Sequence, residues 1–182
     1  MKKSIKSVLA MAIVILFSSL TIQAQRGGKP NIWYGLKVGT EINTNSLSDV
    51  SVSEIKNNYQ VGAFIQFGRK IFLQPELYHA RFVPETGDAI SALKAPVSLG
   101  IQLLDLGILS LNVKGGAEFS KQLTSESEIN FLWQGGVGVN VLGFLTADVR
   151  YLIPRGENAI EQFSHLISNG GMVNVTVGFR FR

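Results

Sequence analysis

The chain has no cysteine, only two histidines and few charges among its 182 residues. Without cysteine there are no disulfides and no lipid-modified cysteine anchor. Charged residues make up 16% of the chain, against about 25% in a soluble domain. Long apolar runs are missing too: beyond Ala24 nothing approaches the ~20 residues a membrane-spanning helix needs. No cluster of His, Cys and Asp has metal-ligand spacing, and basic residues are not interleaved with aromatics. Gly135-Gly136-Val137-Gly138 sits inside an alternating stretch with no helix after it, so it is not a phosphate loop. The residues thus point to no cofactor, no metal and no nucleic acid.

What is present begins with an export signal. Lys2, Lys3 and Lys6 precede an apolar run from Val8 to Leu20, and Thr21-Ile22-Gln23-Ala24 supplies a small-residue cleavage site. The run is about 13 residues, too short for a membrane anchor. The expected organisation is a cleaved signal peptide at 1–24 and one domain at 25–182. Of 17 Lys+Arg, three belong to the signal, leaving 14 against 13 Asp+Glu, so the mature domain is nearly neutral.

Behind the signal, eight stretches place apolar residues at every second position. In the last, Val173, Val175, Val177, Phe179 and Phe181 share one face, and Asn174, Thr176, Gly178 and Arg180 the other. A side-chain period of two is the signature of a β-strand. The predicted strands run Tyr34–Ile42, Tyr59–Phe67, Ile71–His79, Leu93–Leu103, Leu109–Phe119, Phe131–Val141, Leu145–Ile153 and Val173–Phe181. Short turns (Gly68–Lys70, Leu104–Ile108, Leu142–Phe144) alternate with long polar connections, and the longest, from Pro154 to Gly171, leaves room for a helical turn near Ala159–Ile167. Pro75 interrupts the third strand, where a bulge or bend is the expected accommodation. The fold class is all-β: an eight-stranded antiparallel up-and-down transmembrane β-barrel.

A soluble barrel would turn the apolar face inward. Three features oppose that. The less apolar face is rich in glycine, which suits a narrow lumen better than a wet surface. No charge interrupts the middle of any apolar face, where Lys or Arg at the bilayer midplane costs roughly 2–4 kcal/mol. The aromatics also fall into two belts, Tyr34, Phe67, Phe179 and Phe181 at one end and Tyr59, Phe119, Phe131, Trp133 and Tyr151 at the other. The expected location is the bacterial outer membrane, with short turns inside and long loops, Gln122 among them, outside.

The lumen is then expected to hold a polar network of Lys37, Glu41, Glu76, Lys94, Lys114, Glu118, Asp148, Arg150 and Arg180, five bases facing four acids. Charges in so confined a space must be paired or wet. A solid plug is favoured over a pore, because open aqueous channels need about 16 strands. Register in the fourth hairpin, closed near Leu103 and Leu109, sets Lys94 opposite Glu118 as a specific ion pair. Catalytic candidates are thin: His79 faces outward, and Glu161, Ser164 and His165 lie together on the last loop, a solvated segment rather than a triad. No enzyme is expected.

The segment Phe72-Leu73-Gln74-Pro75-Glu76-Leu77-Tyr78 after Gly68 resembles the strand-three motif of the PorT-like outer-membrane β-barrel proteins. Ala95-Pro96-Val97, Gly115-Gly116, Asp148-Val149-Arg150-Tyr151 and Asn174 through Phe179 are similar to later strands of that family, while Lys94 and the final Arg182 depart from it. The resemblance implies an integral outer-membrane barrel, one branch of which is linked to protein secretion. The expected function is non-enzymatic, structural or interactive, through external loops. The alternative is narrow-pore transport or an accessory role in secretion. The expected partners are outer-membrane lipid, the barrel assembly machinery and a protein partner reached by the loops.

Overall fold

The computed structural model describes residues 31–43, 58–83, 89–123, 129–154 and 172–182. Eight strands occupy nearly all of them: β1 (Ile32–Asn43), β2 (Tyr59–Gly68), β3 (Ile71–Phe82), β4 (Ile90–Asp105), β5 (Leu109–Gln122), β6 (Asn130–Val141), β7 (Leu145–Pro154) and β8 (Met172–Phe181). Each pairs antiparallel with its sequence neighbours, and β1 pairs with β8 to close the barrel. Closure leaves no strand edge unpaired, the condition for a sheet to cross a membrane. The strands run up to three residues past the alternation that betrays them, because the ladder continues into the polar rim where the apolar signal stops. Gln122, expected in an external loop, is the last residue of β5 and pairs with Ala92. The expected signal peptide (1–24), the helical turn near Ala159–Ile167 and the Glu161, Ser164 and His165 group all lie outside the described residues.

The faces sort as the alternation predicts. Leu36, Leu99, Val137 and Val177 lie on the outside, each about half exposed, whereas Gln74, Ser98, Lys114 and Thr176 are buried within. An apolar outside around a charged interior inverts a soluble protein and marks the outer surface as lipid-facing. Thr40 departs from this pattern. Expected on the outer face, it is buried, and its hydroxyl donates to the Asn58 carbonyl where β1 runs on beyond its last β2 pair, Gly39 with Gln60.

The short turns share the barrel end that holds the start of β1 and the end of β8. Gly68 (φ 104°), Gly107 (φ 81°) and the consecutive Leu142 (φ 53°) and Gly143 (φ 77°) adopt the left-handed backbone that tight hairpins need. Neighbouring hairpins are tied together there: Gln102 N–H donates to the Lys70 carbonyl at 2.7 Å, Leu142 N–H to Ile108 at 2.6 Å and Arg180 N–H to Phe144 at 2.7 Å. Arg69 and Asp105 add an exposed ion pair at 2.9 Å. Aromatics cluster at both ends. Tyr34 lies 6.0 Å from Phe181 at the turn end, and Phe119, Phe131 and Trp133 stack edge-on, with centroids 5.2 and 5.1 Å apart, at the other.

Two local readings are corrected. The β4–β5 hairpin is not closed between Leu103 and Leu109. β4 continues to Asp105, Leu106 N–H bonds the Leu109 carbonyl, and Lys94 pairs with Ser120 while Glu118 pairs with Pro96. Pairing is therefore displaced by two residues. An irregularity between Gln102 and Leu104 absorbs one residue, so that inward positions still face inward positions. Pro75, for its part, causes no bulge. Register is identical on either side of it, with Phe64 on Glu76 and Phe67 on Leu73. The ladder lapses at the proline and resumes in step.

Candidate functional site: the charged lumen

Inward positions on all eight strands meet in a space too narrow for a second layer of side chains. Glycines make what room there is. A Cβ at Gly100 would fall 2.2 Å from the Phe72 ring, one at Gly62 2.4 Å from Tyr78, and one at Gly138 2.2 Å from the Asp148 carboxylate. The vacated volume is filled by charge and aromatic rings. This is why glycine, a poor strand residue, recurs on this face.

Glu76 on β3 is the hub. Its two carboxylate oxygens take Lys37 at 3.1 Å and Arg150 at 3.1 Å. They also accept from Gln74 Nε2 and the Tyr78 hydroxyl, each at 2.5 Å. Lys37 reaches on to Asp148 at 2.6 Å, and Asp148 binds Lys114 at 2.5 Å. Arg150 donates to the Tyr78 oxygen at 3.2 Å, to Gln134 at 3.4 Å and to Asn174 at 3.4 Å. Asn174 passes the chain outward by donating to Glu41 at 3.1 Å, Glu41 pairs with Lys94, and Lys94 lies 3.6 Å from Glu118. The Lys94–Glu118 contact thus exists, but as a diagonal across the corrected register rather than between opposed residues.

Eight of the nine lumen residues read from the sequence therefore join one continuous network of four bases and four acids among the described residues. Arg180 stands apart. It lies half-buried at the turn end, donates Nε to the Gly143 carbonyl at 2.9 Å and packs 4.2 Å over the Trp33 ring. Without it the buried network is electrically balanced, which matters because an uncompensated charge inside such a space is far costlier than a pair. Aromatic faces add to the pairing: Lys37 sits 4.5 Å over Phe64 and Lys94 4.8 Å over Phe82.

Sequence reasoning named the ionised residues and passed over the neutral ones that connect them. Tyr78 links Glu76 to Arg150, Asn174 links Arg150 to Glu41, Gln74 links Glu76 to Lys114, and Gln134 joins Arg150 to Ser98. Their signal was available, since all four occupy inward positions of their strands. His79 is exposed on the outer surface of β3. Among the described residues no group of three or more His, Cys, Asp or Glu is placed to hold a metal.

No protein-family model matches the chain, and no curated protein matches it in sequence. Solved structures do resemble it. Neisserial surface protein A superposes with a TM-score of 0.55 at 8% identity, covering 84% of this chain and 98% of that one. The N-terminal β-barrel domain of Pseudomonas aeruginosa OprF superposes at 0.51 with 10% identity, covering 84% of this chain and 100% of that one. The fold is that of the small eight-stranded outer-membrane β-barrels.

Proposed function

We propose that the chain is an integral outer-membrane protein without enzymatic activity, acting as a structural or interaction barrel through its long connections. The observation that carries this reading is the balanced network. A lumen in which every strand contributes inward side chains, and in which Glu76, Asp148 and Arg150 are each held by several partners, is built as a plug. The long connections after β1, β3, β5 and β7 all emerge at one end and offer the surface for a partner. Export by a signal at 1–24, insertion by the barrel assembly machinery and contact with outer-membrane lipid belong to the same proposal.

A PorT-like affiliation is the finer form of it. The segment that carries the resemblance, Phe72–Tyr78, also supplies Gln74, Glu76 and Tyr78 at the centre of the network. Planar-bilayer recording of the purified full chain tests the reading. The expected result is no steady conductance of porin size. Large, stable channels would replace the plug with the transport reading, in which the barrel is a narrow pore or a secretion accessory.

A further inference from the structure

The barrel wall has a flaw that the plug does not require. Apart from the irregularity between Gln102 and Leu104 near the turn end, the ladders of the described strands lapse at two places, and both adjoin Glu76. Between β2 and β3 pairing is missing at Ile65 with Pro75 and Gln66 with Gln74. Between β3 and β4 it is missing at Glu76 with Pro96 and Leu77 with Ala95. Each lapse has a proline in it, and a proline nitrogen has no hydrogen to donate. Opposite Pro75 the Ile65 carbonyl loses its ladder donor, and opposite Pro96 the Glu76 carbonyl does.

Such carbonyls are costly within a bilayer, where no bulk water can satisfy them. Pro75 is well inside it, four residues beyond the start of β3, roughly 10 Å along the axis of a tilted strand. At the first lapse the wall holds a cleft of about 250 Å³ lined by Ala63, Phe64, Ile65, Pro75, Glu76 and Leu77. Consecutive residues of the two strands (Ala63, Phe64 and Ile65; Pro75, Glu76 and Leu77) line it, so it lies over the lapsed pairing and is open to the bilayer. Its volume matches about eight water-sized units, hence a molecule of about eight heavy atoms. The lining is apolar, the free acceptor is a backbone carbonyl, and the side chains that could donate are engaged elsewhere: Gln66 with the Gly68 carbonyl and Gln74 with Glu76.

We propose that this cleft is a binding site, entered from the bilayer, for a small apolar molecule carrying one hydrogen-bond donor, which the Ile65 carbonyl accepts. Two probes of eight heavy atoms separate the terms, 1-heptanol with a donor and n-octane without. The full chain, refolded in lipid nanodiscs with labelled Ala, Ile and Leu methyls and labelled carbonyl carbons, is titrated with each.

Heptanol should shift Ala63, Ile65 and Leu77 saturably and move the Ile65 carbonyl resonance, with Leu111 on β5 and Leu145 on β7, away from the cleft, unmoved. Octane should bind at least five-fold more weakly. Ala63→Leu, a lipid-facing exchange that fills the cleft, and Pro75→Val, which restores the N–H, should each weaken heptanol binding at least five-fold. If Pro75→Val does not fold, Ala63→Leu decides alone. Non-saturating shifts that include Leu111 and Leu145 would mean partition into the bilayer only and overturn the site. An undiminished response in Ala63→Leu would do the same, and equal binding of octane would overturn the role of the donor.

Discussion

Single positions in this barrel answer to one of two solvents. Val137, half exposed at the middle of β6, meets lipid. Val137→Arg should destabilise the folded barrel by roughly 2–4 kcal/mol or block its assembly. Gln122→Ala, at the polar end of β5, should leave the unfolding midpoint in guanidinium unchanged within error. Inside, the currency is charge. Asp148→Asn leaves Lys37 and Lys114 without a shared partner and should cost roughly 3–5 kcal/mol in the same titration. Adding Lys114→Met restores balance, so the double variant should be more stable than Asp148→Asn alone. A double variant at least as unstable as the sum of its parts would show that net neutrality is not what the network conserves. That Asp148 faces the lumen was legible from its strand. That it lies between two lysines was not, because those lysines come from β1 and β5, both earlier in the chain and the nearer of them 34 residues away.

Hairpins show where strand-level reading reaches its limit. Alternation determines the parity of pairing, since an odd slip would turn charges to the lipid, but it does not distinguish registers that differ by two. The β4–β5 pair illustrates this. Its faces were read correctly and its register missed by two residues, because the turn begins at Leu106 and one residue is taken up between Gln102 and Leu104. Cysteine pairs in this cysteine-free chain measure the difference. Leu93→Cys with Lys121→Cys should cross-link readily with dibromobimane, since the two are directly opposed. Leu93→Cys with Phe119→Cys, a diagonal neighbour about 7–8 Å away, should react less. The reverse order of yields would restore the earlier register. Pro75 makes a related point: the sequence marks a defect, and only the pairing shows that the strand passes through it in step.

At the scale of the molecule, closure and contents are coupled. An eight-stranded barrel has a lumen only one side-chain layer deep, so what fills it also holds the strands apart. The folded full chain should require detergent for solubility and should migrate differently on a gel before and after boiling, because a closed sheet offers no edge from which to unravel. Identical mobility together with recovery as a soluble monomer would overturn the membrane assignment.

Strand number, the sidedness of every strand, the aromatic belts and the inward charges were determined by the sequence alone, because a period of two is a local property that survives without knowledge of partners. The tertiary structure decided what depends on distance across the lumen. It set which of the inward charges meet, made Glu76 the hub with Asn174 as the link from Arg150 to Glu41, and left Arg180 outside the network. It also placed two prolines so that the wall lapses on both sides of one buried carboxylate. Alternation says which way a side chain points; the curvature of the closed sheet says what it finds there.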